Sequence, residues 1–538
     1  MPSRGKLARL ALLAVSSGLL FGVDLGSIGA AIHPMAEEIA MSTLQTESVV
    51  SGAKGGAVGG CLLGGALMSS RGRRFTVAVS VIPFVIGPIF LIFATSFAEL
   101  LLGRLLMGFG IGLASVAAPN YLSEVVPPAL RGIFEAMYEL GIALGMLGAA
   151  SINLGIEHFD QHGGDCPLGN CWRYQAGMVP LGAAFPLLLA VLLVPESPRW
   201  LMSMADSDDA GLLAALEAIQ ELGRDGATVR LVAARGGTGP PTTTRTTDDL
   251  VSLWDERHEA AGSPLWSART AETVGFERSR ETRIKTRHVL LQTFRDIGAI
   301  LSGAAHVPEG AHSGLLLAIA AAILNQACAS TSLLVYTQHV LQEAGVSNRE
   351  TQNSLSLAVV AAKALGVILG LMLVNRVGRR MLLGWGGALS ALLILVLAVG
   401  AAYKNVAVLL TGMSGFVLVF YTTWGIGYWI VVVELTAAGG PRFSGASQSF
   451  ATATLFATGW LTSLTFIHVI SLGPYGLLIY AGVAVLMALF AAFLLPETSG
   501  RSLEECGELL QSTAAPLLGE SSDSQEVSHS PSERSSLN

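Results

Sequence analysis

The chain has 538 residues, of which 51% are hydrophobic and 13% are charged, and its mean hydropathy is +0.57. Soluble domains carry about 25% charged residues, so this composition excludes the ordinary soluble class and indicates a protein that lies mostly within a membrane. The net charge of -7 indicates no particular partner, nucleic acid included, because much of the acidic charge lies in a central polar segment and a Ser-rich C-terminal tail.

Apolar windows of about 20 residues, the length that crosses a bilayer as a helix, recur along the chain. The first of them resembles a secretory signal, but Asp24 lies in its middle and no convincing cleavage site follows, so we expect a retained helix. The sequence therefore predicts an all-α integral membrane protein. About twelve spans are predicted, at 10–32, 48–68, 75–94, 100–122, 133–154, 174–194, 314–337, 355–374, 381–402, 406–433, 445–470 and 475–495.

A long polar segment separates the first six spans from the last six. It contains a Gly/Pro/Thr-rich run with amphipathic stretches on both sides, which predicts short helices around a flexible middle. The predicted regions are an N-terminal six-helix half over 1–202, a cytosolic central loop over 203–312, a C-terminal six-helix half over 313–505 and a disordered cytosolic tail over 506–538.

Basic residues in the short loops fall on one side of the predicted spans. The opposite loops contain few, with Arg173, Arg349 and Lys404 as the exceptions. By the positive-inside rule, both termini and the central loop are expected in the cytosol. The residues on the basic side are Arg4, Lys6, Arg71, Arg73, Arg74, Arg131, Arg376, Arg379, Arg380, Arg442 and Arg501.

Several short charged motifs occur twice, once in each half. A duplicated six-helix unit with charges at equivalent helix ends is typical of secondary transporters. The matching motifs are Ser-Ser-Arg-Gly-Arg-Arg (69–74) with Asn-Arg-Val-Gly-Arg-Arg (375–380), Pro-Glu-Ser-Pro-Arg (195–199) with Pro-Glu-Thr-Ser-Gly-Arg (496–501), and Glu124 and Arg131 with Glu434 and Arg442.

Five cysteines are too few for a disulfide scaffold. Cys166 and Cys171 share one predicted outside loop, where a local bridge would form in an oxidising compartment. The sequence contains no metal-ligand cluster, nucleophile constellation or phosphate-binding glycine loop that stands out. We therefore expect no cofactor and no enzymatic activity.

Together the motifs resemble the sugar porter branch of the major facilitator superfamily, which includes facilitative glucose transporters and proton–sugar symporters. The resemblance runs from residue 18 to about residue 505, apart from the central loop. It implies the major facilitator fold, with two pseudo-symmetric six-helix halves, and transport by alternating access. Besides the repeated motifs, it is carried by Gly-Arg (103–104), Tyr-Leu-Ser-Glu (121–124), Leu-Arg-Gly (130–132) and Trp-Arg-Tyr (172–174).

Asp24 and Arg104 are charges inside predicted spans, where a charge is costly and is usually functional or paired. The resemblance implies that they face each other, and that Asp24 stands where proton-coupled members have an Asp. On one hypothesis, protonation of Asp24 releases Arg104 and couples a proton to the sugar. On the other, the two form a static pair that orients the first and fourth spans.

The chain departs from the family pattern at the implied sugar site. Glu139 replaces a Gln of the fifth span and Lys363 an Asn of the eighth. These two residues are expected either to form an ion pair across the halves, as in a divergent subgroup of animal glucose transporters, or to leave Lys363 extended into a water-filled cavity. Gln326 and Trp429 are the conventional sugar contacts, with helix packing as the alternative. The implied substrate-binding set is Glu139, Asn325, Gln326, Thr331, Lys363 and Trp429.

The resemblance also implies ion-pair networks that close a cytosolic gate. Ser69 and Ser70 stand where the family has Asp and Arg, so a looser gate is expected in the N-terminal half. The implied gate residues are Arg73, Arg74, Glu124, Arg131, Glu196, Arg199, Arg379, Arg380, Glu434 and Arg442.

Three functions remain open from the sequence. A proton-coupled hexose or polyol symporter is favoured by Asp24 with Arg104, a facilitative uniporter is the near alternative, and a non-transporting sugar sensor is the third. The expected partners are a sugar or polyol, protons and the lipid bilayer. A weak acidic-dileucine pattern at 505–510 leaves both the plasma membrane and an internal membrane open.

Overall fold

The computed structural model describes residues 4–126, 128–161, 166, 170–198, 200–201, 292–304, 307, 310–374, 376–499, 505–506 and 509–510. Most of the predicted central loop and most of the predicted tail lie outside these residues. So does Arg199, and so do the side chains of Arg4 and Arg442. The described part of the chain is helical almost throughout.

Two long helices of the N-terminal half begin after a polar capping residue. Ser42 and Gln45 form a capping box at the start of the second helix, and Ser96 and Glu99 form one at the start of the fourth. Such reciprocal bonds satisfy backbone N–H groups that a helix start leaves free. The helices are α1 (Arg4–Glu38), α2 (Thr43–Arg71), α3 (Arg73–Phe93), α4 (Phe97–Val125), α5 (Pro128–Gln161) and α6 (Val179–Leu192), with a π-helical turn at Tyr174–Met178 before α6.

The C-terminal half has the same six spans, but two of them are interrupted. Its helices are α7 (Ala311–Ala327), α8 (Ser330–Val335), α9 (Thr337–Glu343), α10 (Arg349–Leu373), α11 (Arg379–Ala402), α12 (Val406–Phe420), α13 (Ile426–Thr436), α14 (Gly440–Ile470) and α15 (Pro474–Phe493), with a π-helical turn at Tyr421–Gly425 and a 3-10 turn at Ala437–Gly439.

The predicted twelve-span fold is confirmed. Eleven helical segments of the described chain are long and apolar enough to cross a membrane. The other predicted span is α2, a 29-residue helix in which glycines and the charged Glu47 and Lys54 dilute the apolar character. It lies against α4 on one side and α14 on the other.

The seventh and tenth spans differ from the continuous helices that the sequence predicts. The seventh breaks where Ala329 adopts a left-handed conformation (φ 59°) between α7 and α8. The tenth widens into the π-helical turn between α12 and α13. Neither break contains a proline, which is why the sequence did not reveal them, and both lie beside the central cavity described below.

Close helix packing brings buried charges of the N-terminal half together. Where α2 meets α4, a Cβ on Gly56 or Gly108 would overlap the backbone of the facing helix, so only glycine allows this approach. The two halves meet chiefly along α2 with α14 and along α5 with α10. Side chains on these four helices therefore form much of the contact between the halves.

Candidate functional site

A central cavity lies between the halves, and all six residues of the implied substrate-binding set line it. They come from five elements: α5, α7, α8, α10 and α13. Phe21 and Leu25 of α1 complete one wall, and Tyr421 of the π-helical turn another. The sequence positions taken from the resemblance therefore converge on one place.

Glu139 and Lys363 face each other across this cavity. Lys363 Nζ lies 3.1 Å from Glu139 Oε1, and both side chains are almost fully buried. Trp429 donates its indole N–H to Glu139 Oε2 at 3.0 Å, and Lys363 Nζ lies 4.0 Å from the centre of the Tyr421 ring. The structure thus has the ion pair across the halves, whereas a lysine extended into water would be exposed.

The Lys363 contact leaves hydrogen-bonding capacity on the glutamate. It is close enough for an ion pair but not aligned as a hydrogen bond, so Glu139 Oε1 has no hydrogen-bond partner among the described residues. A carboxylate oxygen accepts more than one donor. Glu139 is therefore held in place and still available to a ligand hydroxyl, while Tyr138 packs edge-on against the Trp429 ring (4.7 Å).

The amides of α7 form a directed chain of hydrogen bonds. Thr331 donates to Gln326 Oε1 at 3.0 Å, Gln326 donates to Asn325 Oδ1 at 3.1 Å, and Asn325 donates to the Trp424 carbonyl at 3.2 Å. Trp424 lies in the π-helical turn. Both helix breaks are thus tied together by side chains that also line the cavity.

Asp24 and Arg104 form a doubly buried pair inside the N-terminal half. Both guanidinium Nη atoms bond the carboxylate, and the two side chains are 1% and 2% exposed. Arg104 also donates to the carbonyls of Val49 (3.0 Å) and Val50 (3.1 Å) on α2. In the sequence of α1, Asp24 directly precedes Leu25, which lines the cavity, although the Asp24 side chain itself points to Arg104.

Lys54 of α2 is a buried charge that sequence reasoning missed. Its side chain is almost fully buried and donates to Thr331, Gly459 and Ser463 of the other half. A lysine inside a predicted span is a functional candidate by default, so the signal was present. Lys54 was not recognised because the glycine-rich stretch around it indicates close helix packing.

A charged cluster lies at one end of the N-terminal half. We call this end of the helix bundle the arginine-rich end. Arg73 pairs with Glu124 at 2.7 Å, and Ser197 donates to the same carboxylate at 2.5 Å. Glu196 Oε1 accepts the backbone N–H groups of Arg73 (2.9 Å) and Arg74 (3.0 Å) at the start of α3. Carboxylates are favoured at a helix N-terminus, so Glu196 caps the start of α3 through these backbone bonds.

The C-terminal half repeats this geometry. Arg379 pairs with Glu434 at 3.4 Å, and Thr498 donates to Glu434 at 2.5 Å. Glu497 accepts the backbone N–H groups of Arg379 (2.9 Å) and Arg380 (3.1 Å) at the start of α11. Glu497 was absent from the predicted gate residues, and only the duplicated Pro-Glu motif could have indicated it.

Three other predicted gate residues donate to backbone carbonyls. Arg74 and Arg380 donate to the carbonyls of Val191 and Ala492, each at 3.0 Å. Arg131 donates to the Ser123 carbonyl at 3.3 Å, while the carboxylate of Glu124 pairs with Arg73. Among the described residues, each cluster therefore consists of one arginine, one glutamate that pairs with it and one helix-capping glutamate.

At the opposite end of the bundle, the structure joins Cys166 to Cys171 through a disulfide. Arg173 pairs with Glu38 at 2.7 Å, and Arg349 pairs with Glu37 at 3.4 Å. Two of the basic residues on this side are thus matched by carboxylates at the end of α1.

Residues 10–222 and 306–510, more than half of the chain, match the family described as Sugar (and other) transporter. The galactose-proton symporter of Escherichia coli (strain K12) is 26% identical over 503 residues, which cover 91% of this chain and 92% of that protein. The putative polyol transporter 2 of Arabidopsis thaliana is 26% identical over 531 residues, which cover 96% of this chain and 94% of that protein.

The fold is similar to that of a solved carrier. The proton:xylose symporter XylE, solved bound to 6-bromo-6-deoxy-D-glucose, aligns with a TM-score of 0.68 at 21% identity. The alignment covers 94% of this chain and 99% of that one. It shows the major facilitator fold of two six-helix halves around a central cavity.

Proposed function

Because the chain belongs to the sugar (and other) transporter family, we propose that it is a secondary-active carrier that moves a hexose or polyol together with a proton. Transport by alternating access fits a cavity that lies between two similar halves. Relatives that are named as a galactose-proton symporter and a putative polyol transporter support this substrate class.

The cavity has the chemistry that a polyhydroxy ligand needs. Sugar hydroxyls both donate and accept, so they can replace the bonds that Asn325, Gln326 and Thr331 make to one another. Glu139 Oε1 offers a further acceptor, and Trp429 offers a face on which a ring can stack. Groups that are already oriented by each other lose little freedom when the ligand binds.

The observation that carries the proton-coupled function is the buried pair of Asp24 and Arg104, in which Asp24 directly precedes the cavity residue Leu25. A carboxylate with no access to water keeps its charge only while a cation neutralises it. If Asp24 takes a proton, the attraction that holds Arg104 to α1 is lost, while its bonds to α2 remain. Protonation of Asp24 therefore weakens the contact between α1 and α4.

The arginine-rich end is assigned to the cytosol, because it carries the short-loop basic residues. Its two clusters hold α3 to α6 and α11 to α15, and they stabilise the state in which this end is closed. The other end, with the disulfide of Cys166 and Cys171, then faces an oxidising compartment. Both termini and the central loop are cytosolic in this orientation.

We also assign the chain to the divergent subgroup with Glu in the fifth span and Lys in the eighth. The 3.1 Å contact between Glu139 and Lys363 supports this assignment. It explains why loss of the usual amides at these positions is compatible with a functioning carrier: two matched charges replace two matched amides.

The test is uptake into proteoliposomes of a panel of hexoses, pentoses and polyols, with and without an imposed pH gradient. We expect at least one panel sugar to accumulate only when the gradient is present. Asp24→Asn should abolish accumulation and spare part of downhill exchange, because an amide cannot carry a proton. The exposed carboxylate change Glu350→Gln is the matched control and should behave as the wild type.

The outcomes separate the three candidate functions. Uptake that is unaffected by the pH gradient would establish a uniporter. Sugar binding without any uptake would establish a sensor. Accumulation against a gradient by Asp24→Asn would remove Asp24 from the coupling step while leaving sugar transport intact.

A further inference from the structure

Lys54 is a buried ammonium that joins the two halves through neutral partners only. Its Nζ donates to Ser463 Oγ at 2.6 Å, to Thr331 Oγ1 at 2.9 Å and to the Gly459 carbonyl at 3.3 Å. All three acceptors belong to the C-terminal half, whereas Lys54 lies on α2 of the N-terminal half. Among the described residues, it has no carboxylate within ion-pair distance.

The charge that compensates Lys54 comes from the coupling pair. Arg104, which holds Asp24, donates to the Val50 carbonyl, one helical turn before Lys54 on α2, so the pair lies close to Lys54. With Asp24 ionised, this buried group of three carries one net positive charge. When Asp24 is protonated, two buried cations remain without an anion, which is strongly unfavourable in a low-dielectric interior.

Lys54 also fixes the direction of the hydrogen-bond chain in the cavity. An ammonium can only donate, so the Thr331 oxygen must accept from Lys54 and its hydroxyl must donate onward to Gln326 Oε1. Gln326 then presents its NH2 group to Asn325, which donates to Trp424. The ammonium of Lys54 at one end and the Trp424 carbonyl at the other therefore both require this orientation of the two amides.

The backbone makes room for this arrangement. At Gly459 of α14, an added Cβ would lie 2.8 Å from Gln326 Oε1 and 3.3 Å from Lys54 Cδ. One glycine thus accommodates both the lysine and the amide it orients. The contact between α2, α8 and α14 is shaped around these two side chains.

We propose that Lys54 is the positioning residue through which protonation of Asp24 changes the sugar-binding amides of α7. Protonated Asp24 no longer compensates Lys54, which leaves Thr331, and the Thr331 hydroxyl is then free to turn away from Gln326. Proton binding thereby alters both the cavity and the bonds that join α2 to the C-terminal half. This inference rests on the proposed function, since it needs Asp24 to bind the coupled proton.

The experiment measures sugar affinity of the purified full-length protein in nanodiscs at mildly acidic and mildly alkaline pH. The probes are D-glucose, D-galactose and myo-inositol. Because linkage is reciprocal, a coupled proton must change sugar affinity, and we expect a change of about fivefold or more in the wild type. Lys54→Met should still bind sugar but lose most of this pH dependence.

Three further variants separate positioning from mere structure. Lys54→Arg keeps a buried cation that donates to Thr331, and it should restore the pH dependence. Thr331→Val keeps the ammonium but removes the onward donor, so it should lose the pH dependence even if Lys54→Met does not fold. Lys404→Met, which changes an exposed lysine, is the matched control and should retain it.

Full pH dependence of sugar affinity in Lys54→Met or Thr331→Val would overturn the inference. Loss of binding at every pH in a folded Lys54→Met would also overturn it, because Lys54 would then be a direct sugar contact. If the wild type binds none of the probes, or binds them with no pH dependence and does not accumulate sugar, the proposed symport fails first. Wild-type accumulation together with a normal Lys54→Met response rejects only the role of Lys54.

Discussion

Two of the buried ion pairs, Asp24 with Arg104 and Glu139 with Lys363, each join a carboxylate to a cation but differ in their surroundings. Arg104 has Asp24 and also two backbone carbonyls of α2, whereas the ammonium of Lys363 has Glu139 and the face of Tyr421. The first cation therefore stays hydrogen-bonded if its carboxylate is neutralised, and the second does not. The first pair also lies within one half, while the second joins α5 to α10 across the halves.

This difference indicates that burial alone does not make an ion pair a switch. Neutralising the carboxylate of a buried pair costs less free energy when the cation retains other hydrogen bonds. By that criterion, Asp24 with Arg104 is suited to cycle between charge states. Glu139 with Lys363 is suited to remain ionised and to hold the cavity in shape.

The largest expected effect is the loss caused by Glu139→Gln or Lys363→Asn alone. Each leaves one buried charge unmatched, which destabilises a protein by about 3 to 5 kcal/mol. The double variant restores the common family residues and should recover much of the loss. The loss and its recovery are measured as thermal stability in detergent and as transport per inserted molecule. Transport is counted per inserted molecule because an unmatched membrane charge also lowers expression. Silent single variants, or effects that simply add, would show that the two side chains are not coupled.

The next effect compares two equivalent carboxyl-to-amide changes. Asp24→Asn should lower the free energy of unfolding by about 1.5 to 3 kcal/mol. This effect is smaller than that of Glu139→Gln because Arg104 keeps its carbonyl partners. Thermal unfolding of the two variants side by side provides the measurement. If Asp24→Asn unfolds at the lower temperature, the distinction between the two pairs is wrong.

A smaller effect is expected at the arginine-rich end. The pair of Arg379 and Glu434 is 8% and 7% exposed, against 15% and 11% for Arg73 and Glu124. Arg379→Ala should therefore open this end more often than Arg73→Ala does. Labelling of a cysteine introduced at buried Ser123 (Ser123→Cys) reports the opening. Equal labelling rates in both backgrounds would mean that burial of the cluster does not decide gate strength.

The smallest effect is expected from Arg349→Ala. Arg349 and Glu37 also join the halves, but their side chains are 52% and 72% exposed and 3.4 Å apart. Exposed pairs contribute about 0 to 1 kcal/mol and are screened by salt. The rate of downhill exchange by Arg349→Ala should stay close to that of the wild type, and the difference between them should not depend on ionic strength. A loss comparable to that of Glu139→Gln would contradict the role assigned to burial.

The sequence was most informative about which charges lie inside spans. Asp24 and Arg104 were identified because a charge in an apolar window is conspicuous, and Glu139 and Lys363 because they depart from the family that the chain resembles. The twelve-span fold followed from hydropathy. Lys54 was missed because neighbouring glycines suggested packing. Its partners are hydroxyls and a carbonyl of the other half, and such neutral groups give no charge pattern that pairs with a lysine.

Backbone partners were the other gap. At the duplicated Pro-Glu motifs only side-chain ion pairs were expected, and the bonds that Glu196 and Glu497 make to backbone N–H groups of α3 and α11 were not predicted. Backbone donors are present at every residue, so sequence patterns do not distinguish the ones that are used. The breaks at Ala329 and at Tyr421–Gly425 escaped notice for a related reason, since neither contains the proline that usually indicates one.

The two capping glutamates have a consequence for synthesis of the protein. Glu196 follows Arg73 by 123 residues, and Glu497 follows Arg379 by 118. The start of α3 therefore has no cap until the ribosome has made α6, and the start of α11 none until α15 has been made. Each half completes its own third-helix boundary only when its last helix enters the membrane. Capping of the third span is therefore the last step in the assembly of each half, and it comes before the two halves can close on each other.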